Sequence, residues 1–555
     1  MNDAKELTIE VRGMTCDHCE RSVAKALQTV PGVHQVLEVS HADASARVIA
    51  GPEATAERIE RAVEEAGYRA RVNEHSKRSE APTVITRGGG EFDLLIVGGG
   101  SAGFAAAIRA ADLGARVAIA EGGTLGGACV NVGCVSSKTL IRAAEAQHRR
   151  VHHGFRGIAA TDGQPDWPTV RAEKDALVAE LRQTRYGNVL RAYPSVTLFQ
   201  ERATFVSGRE VRLASGRTLT AGKIVVTTGA SPWAPPIPGL AEAGYLDNAS
   251  AMALERLPES LIVIGGSSVG LELAQLFARL GVHVTVLEAL PRVLPAEDAD
   301  IGNALGDYLR SEGLEVHTDI QIHRVSRASE GYAVQFRAGH EQRTARADQL
   351  LVATGRRANT AGFGLDTIGV TLGTKGEIIV DEFLQTTSPN VYAAGDVIGD
   401  PMFVYVAASG GALAAENALT ENERRYDLSA LPRVTFTDPA VASVGLTEDQ
   451  ARAQGIDLLV SKLPLEHVPR ALAAHDTRGF IKLVADAGTK KIIGAQILAA
   501  EAGEMITEPT LVIKFGLTIE DVTSTFHPYL TLSEGIKLAA QAFTKDVAKL
   551  SCCAA

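Results

Sequence analysis

Six cysteines stand in three close pairs: Cys16 with Cys19, Cys129 with Cys134, and Cys552 with Cys553. A thiolate pair either holds a soft metal ion or exchanges electrons as dithiol and disulfide, and the two uses need different surroundings. So few cysteines in 555 residues make no disulfide scaffold, which turns the reading toward metal binding or catalysis. Cys16 and Cys19 lie three apart where a loop enters a helix, so the two thiols can converge on one ion, and the helix N-terminus favours the thiolates. His18 lies between them, and no second Cys/His pair follows at zinc-finger spacing, which suits a soft cation held by two ligands. A bare C-x-x-C also fits a redox pair of the thioredoxin type, although the longer βαβ context for that is missing. Cys129 and Cys134 are five apart. In a regular helix their Cα atoms would be roughly 8.6 Å apart, beyond disulfide reach, so a distorted first turn is expected there. Cys552 and Cys553 are adjacent on a terminal tail.

Three kinds of element must position these thiols. ELTIEV reads as a strand, the segment after Cys16 as an amphipathic helix, VHQVLEVSHADASARVIA as two strands and ATAERIERAVEEAGY as a second helix, with a last strand at YRARV. This is a small βαββαβ module. RVNEHSKRSEAPTVITRGGG follows, polar and without period, and reads as a flexible tether. Next, FDLLIVGGGSAGFAAAIRAADLGARVAIAE is strand, glycine turn, helix and second strand ending in an acid. Gly98 allows the tight turn, Gly100 lets the backbone approach a pyrophosphate at the helix N-terminus, Gly103 lets helix and strand pack closely, and Glu121 is placed for ribose hydroxyls. LIVIGGSSVGLELAQLFARLGVHVTVLE repeats the pattern with Gly265, Ser267, Gly270 and Glu288. Two dinucleotide folds imply two dinucleotides, most economically a flavin that accepts hydride from a nicotinamide. Ser101, Ala102, Gly126, Gly127, Ala230, Gly355 and Val404 are further expected cofactor contacts. Glu288 favours NADH because an acid repels a 2′-phosphate, whereas Arg292 nearby could neutralise one, so both NADH and NADPH stay open.

The net charge of −11 disfavours nucleic acid and anionic membranes as partners. No apolar signal core or bilayer-length apolar run occurs, so a cytoplasmic location is expected.

GMTCDHC in its element order resembles the heavy-metal-associated domain, which carries soft metals on the two cysteines. The pair of dinucleotide folds, followed by VATGRRANT and TTSPNVYAAGDV, resembles the flavin-dependent pyridine nucleotide-disulphide oxidoreductases, in which the Asp of the second motif, here Asp396, binds the flavin's ribityl chain. GGACVNVGCVSSK is similar to that family's redox-active segment, C-x-x-x-x-C-x-P-S-K, with Ser136 in place of its proline. The resemblance implies that Cys134 lies against the flavin as the charge-transfer thiolate, that Cys129 meets the substrate, and that Lys138 lies near flavin N5 with Glu272 as ion-pair partner.

Within the family, members that reduce organic disulfides use a C-terminal His-Pro with a Glu five residues after the His. Here His527 and Pro528 are present but Leu532 takes that place, with Glu534 two residues on. PYLT (Pro528 to Thr531), Tyr186 and the terminal Cys-Cys resemble the mercuric reductases instead, in which Tyr529 and Tyr186 would line the metal site. That resemblance implies reduction of Hg(II), delivered as thiol complexes, by NADH or NADPH through FAD. It also implies a homodimer in which Cys552 and Cys553 of one subunit pass the ion to Cys129 and Cys134 of the other. The alternative is a dihydrolipoamide or glutathione reductase with an appended metal-binding domain. The expected fold class is α/β and α+β, multidomain: a ferredoxin-like heavy-metal-associated domain at 1–75, tether at 76–90, Rossmann-like FAD-binding domain at 91–245 and 368–430, Rossmann-like NAD(P)-binding domain at 246–367, and an α+β dimerisation domain with the Cys-Cys tail at 431–555.

Overall fold

All six residues of the strand Phe92–Val97 are buried. A parallel strand covered by helices on both faces needs apolar residues at consecutive positions rather than alternate ones. Asp93 is the exception, and its carboxylate accepts hydrogen bonds from Arg116 N (2.9 Å) and Arg116 Nη2 (3.1 Å). Val117–Ala120 and Thr218–Val226 flank this strand in parallel, with Val196–Phe199 and Val391–Ala393 outside them. The helices Ser101–Asp112 and Val404–Leu419 pack closely on this sheet, and a Cβ at Gly411 would overlap the Ala102 carbonyl.

The computed structural model describes residues 5–14, 16–41, 44–73, 89–161, 163–420 and 422–546. Most of the expected tether, together with Cys552 and Cys553, lies outside the described residues. The chain divides into two units, Met1–Ile85 and Thr86–Ala555.

In the second unit the dinucleotide pattern recurs. Ser260–Ile264 pairs in parallel with His283–Leu287 and Gln349–Val352, and Glu315–His317 lies outside. An antiparallel layer, Ile320–Ala328, Gly331–Ala338 and Glu341–Ala347, joins it. From Arg433 onward the architecture changes to a five-stranded antiparallel sheet, with strands in the order Arg433–Thr435, Ala440–Gly445, Ile492–Ala499, Phe480–Asp486 and Leu458–Pro464. Val512, Ile536 and Ala539 come from helices that close its core.

The first unit is a βαββαβ domain with strand order Val33–Ser40, Ser45–Ala50, Lys5–Arg12, Arg69–Asn73. Its helices bury Val23 and Leu27, and Ile59 and Val63, each pair four apart and so on one helix face. The expected fold class is the one observed. Among the described residues, no helix is long and apolar enough to cross a membrane.

Candidate active site

Cys129 lies in the short helix Gly127–Val132 and Cys134 opens the next, Cys134–Arg149. Between them Gly133 breaks the helical path at φ −120°, ψ −119°, which is the distortion that the five-residue spacing demands. A Cβ at Gly133 would lie 2.8 Å from Ala128 O and 3.1 Å from Cys129 Cα, so the chain folds back there only because the residue is glycine. Both thiols are free. A hydrogen bond from Cys129 and the charge of Lys138 outweigh burial to bring the Cys134 thiol down to about 7, while sharing with Cys134 and burial push Cys129 up. The pair therefore holds one stabilised thiolate near neutral pH, with the second thiol as its donor.

Lys138 is one helical turn beyond Cys134, on the same face. Its Nζ donates to Glu272 Oε2 at 2.6 Å and lies 4.6 Å from the centroid of the Phe436 ring. Glu272 is buried, and its other oxygen accepts from Phe436 N at 2.9 Å. Ser136, where the resemblance leads one to expect proline, donates its hydroxyl to Asn131 O at 3.1 Å. Asn131 in turn donates to Leu125 O (3.0 Å) and Gly127 O (2.9 Å) and accepts from Arg182 at 3.2 Å. The serine thus ties the start of the long helix back to the turn that carries Cys129.

Two tyrosines lie within electrostatic reach of Cys134. Tyr186 sits in a π-helical turn, Gln183–Gly187, packed edge-on against Phe104 at 4.7 Å. Burial holds its hydroxyl above the ordinary range, partly offset by a hydrogen bond with Ser101. Tyr405 donates to Pro432 O at 2.5 Å and stacks on Phe403, and burial pushes its hydroxyl up to about 12. The sequence pointed to Val404 but passed over Tyr405 beside it. Phe436 was also missed, and nothing in its local sequence marks it.

A cavity of about 1740 Å³ opens in front of the thiols. Ligand pockets commonly hold roughly 300–1,000 Å³, so this one has room for two dinucleotides. Cys129, Cys134, Lys138, Glu272 and the expected cofactor contacts line it, except Gly103, Gly126 and Gly270; Arg292, Tyr186 and Tyr529 do not. Gly103 and Gly270 stand behind the wall, where a Cβ would overlap the carbonyls of Gly98 and Gly265, as close helix-strand packing requires. Gly98 and Gly265 have φ of 110° and 112°, a region open to glycine at little cost. A Cβ on Gly127 would lie 2.7 Å from Gly100 Cα, so the backbone surface is bare of side chains where a pyrophosphate would approach. Burial raises the Asp396 carboxyl against the pull of Arg356, 3.8 Å away. These residues fit two dinucleotides.

In the N-terminal unit, Cys16 Sγ and Cys19 Sγ are 3.5 Å apart where the helix Asp17–Gln28 begins. A hydrogen bond with Cys19 holds the Tyr68 hydroxyl above its ordinary range. Among the described residues, no group of three His, Cys, Asp or Glu side chains is assembled to hold a metal. At the other end, Tyr529 is 59% exposed and does not line this cavity. His527 Nε2 pairs with Glu508 Oε1 at 2.6 Å and Nδ1 meets Thr525 O at 3.1 Å. Glu534, which sequence spacing offered as a substitute partner, instead accepts from Leu530 N at 3.3 Å.

Residues 92–411 match the pyridine nucleotide-disulphide oxidoreductase family, 431–540 its dimerisation domain and 8–69 the heavy-metal-associated domain. The chain is 42% identical to the mercuric reductase of Staphylococcus aureus over 98% of both chains. It is 48% identical to that of Streptomyces lividans over 83% of this chain and 98% of the relative. Among solved structures, it is similar to the Cu(II) complex of the HOCl-induced flavoprotein disulfide reductase RclA from Escherichia coli (31% identity, TM-score 0.73, 81% of this chain and 99% of that one). It is also similar to LpdA from Mycobacterium tuberculosis (28% identity, TM-score 0.73, 82% and 100%).

Proposed function

The chain belongs to the pyridine nucleotide-disulphide oxidoreductases and, within them, to the mercuric reductases, and from that membership we propose that it detoxifies Hg(II) by reducing it to elemental mercury. The observation that carries this reading is the Cys129 and Cys134 pair, free and facing a cavity built for two dinucleotides. Soft Hg(II) prefers two thiolates in linear array and exchanges them readily, so a chain of dithiols can move the ion without releasing it.

The glycine turns at Gly98 and Gly265 would each hold a pyrophosphate, with Asp396 toward the flavin's ribityl chain and Glu121 toward its adenosine ribose. FAD held there would take hydride from NAD(P)H and supply the two electrons that Hg(II) needs. Cys134 provides a thiolate near neutral pH, and Cys129 gives up its proton as the ion binds, since only the thiolate is a ligand. Lys138 places a positive charge beside Cys134 that favours negative charge at the thiols and at the flavin face. Tyr186 lines the metal approach from its own subunit. The ion arrives from low-molecular-weight thiols by way of Cys552 and Cys553 of the partner subunit in a homodimer, with Tyr529 at that interface, and Cys16 and Cys19 collect it when thiols are scarce.

Disulfide reduction needs a histidine with one nitrogen free to protonate a leaving thiolate. Both ring nitrogens of His527 face acceptors in its own subunit, which weighs against that reading. The test is anaerobic NADH and NADPH oxidation with Hg(II) in excess thiol, trapping volatile mercury, beside parallel reactions with lipoamide and glutathione disulfide. Stoichiometric elemental mercury is expected; disulfide turnover without mercury release would sink the proposal.

A further inference from the structure

We infer that Glu288 makes this chain select NADH over NADPH, an inference that rests on the nicotinamide site proposed above. The sequence left the choice open because Glu288 and Arg292 pull in opposite directions. The structure separates them. Glu288 directly follows the strand His283–Leu287, is 8% exposed and lines the cavity. Its oxygens accept from Gly266 N at 2.6 Å and Leu290 N at 2.8 Å. Two backbone donors hold the carboxylate in one place, and each oxygen keeps a lone pair for a ribose hydroxyl.

Glu121 is held in the same way in the other dinucleotide fold, by Gly99 N at 2.6 Å and Gly123 N at 2.5 Å. The two acids occupy equivalent positions, and a cofactor with a free 2′-hydroxyl suits both.

Arg292 is turned elsewhere. Its Nη2 donates to Pro295 O at 3.4 Å, and its side chain lines a separate pocket of about 200 Å³ with Asp307 and Arg310. The stem lies over Gly302, where a Cβ would come within 3.1 Å of Arg292 Cδ. The cation nearest in sequence to the acid therefore does not line the dinucleotide cavity. Arg433, a cation that does, is paired with Glu297 at 3.0 Å. A 2′-phosphate beside Glu288 would meet a fixed negative charge without a compensating one.

The test is calorimetric titration of oxidised holoenzyme with NAD+ and NADP+, and the rate of anaerobic flavin bleaching by NADH and NADPH, all without Hg(II). Tighter binding of NAD+ by about 100-fold is expected, the scale of one unscreened like-charge contact at a partly solvated site. Glu288→Ala should narrow the ratio by at least about tenfold, mainly by strengthening NADP+, because the Gly266 and Leu290 N–H groups become free to hold an anion. Arg292→Ala should leave the ratio within about twofold, as a side chain outside the site would. Equal or tighter NADP+ binding by the unaltered enzyme overturns the inference, and so does an unchanged ratio in Glu288→Ala or a selective loss of NADP+ affinity in Arg292→Ala. The unaltered enzyme alone decides the first outcome even if a variant fails to fold. Because no step uses mercury, failure of the mercuric reductase reading would show separately, as flavin bleaching without mercury release.

Discussion

Glu272 joins Lys138 at 2.6 Å with one carboxylate oxygen and the Phe436 backbone N–H at 2.9 Å with the other. It belongs to a polar stripe on the helix Ser268–Arg279. Ser268 meets Thr435 at 2.7 Å, Gln275 exchanges two hydrogen bonds of 2.8 Å with the Asp438 backbone, and Arg279 meets the Asp438 carboxylate at 2.8 Å. Positions 268, 272, 275 and 279 share one helix face. The helix that opens at the second glycine turn is therefore fastened along its length to the antiparallel domain, and that fastening fixes the carboxylate that orients Lys138.

Lys138→Met should raise the thiolate midpoint of Cys134, since the lysine's charge is among the influences that lower it. The check is the rate of iodoacetamide alkylation against pH in a Cys129→Ser background, with Lys138→Met compared with Lys138. An increase of about one unit is expected from loss of an adjacent cation. An unmoved midpoint would mean that the lysine does not act on the thiol.

Ser136→Ala removes the hydroxyl that donates to Asn131 O. A loss of about 1 kcal/mol is expected, the usual worth of one such bond. Ser136→Pro should cost less, because proline is tolerated in a first helical turn and offsets part of the loss by restricting the unfolded chain. Urea unfolding midpoints of the three proteins give the order; Ser136→Ala as stable as the parent would leave the hydroxyl without a structural role.

The parts legible in the sequence are those built from near neighbours. The glycine turns, their terminal acids and the five-residue cysteine spacing are local patterns, and local backbone geometry realises them. Phe436 and Tyr405 could not be read in this way, because both come from segments far along the chain, Phe436 from another domain and Tyr405 from the helix Val404–Leu419 of the same sheet. His527 shows the same limit. Sequence spacing looked for a carboxylate five residues after it and found Leu532, whereas the chain supplies Glu508 from 19 residues before. Arg292 stayed ambiguous until its packing over Gly302 was seen.

The hydrogen bond to Glu508 raises the folded-state pKa of His527 above the ordinary value of about 6.5. A raised value contributes stability that is complete below the unfolded pKa and is lost as pH rises through the folded one. His527→Gln should therefore lower the melting temperature most at pH 6 and progressively less above neutrality. Scanning fluorimetry between pH 6 and 9 reads the gap, and a gap independent of pH would mean that the imidazolium contributes nothing.

Deleting residues 1–80 removes the separate N-terminal unit with Cys16 and Cys19. Turnover in excess thiol should stay within about twofold of the full chain, as expected when the part removed shares no site with the rest. With Hg(II) limiting and thiols scarce it should fall. Loss of turnover in excess thiol would make the N-terminal pair part of the catalytic site.

Transfer between subunits is tested by complementation. Cys134→Ala should abolish mercury release while FAD stays bound, and the double variant Cys552→Ala/Cys553→Ala should turn over slowly when the ion is presented on bulky thiols. In a heterodimer of the two, one active site combines an intact Cys129 and Cys134 with the intact tail of the other subunit, provided that the tail acts across the interface. If the tail served its own subunit, neither site would be complete. About half of the parental rate in the heterodimer is expected on the first arrangement, since one of two independent sites is restored, and only the slow rate of the tail variant on the second. Differently tagged copies, co-expressed and purified through both tags, provide the heterodimer. Volatile mercury released per bound flavin then decides whether the ion crosses from one chain to the other.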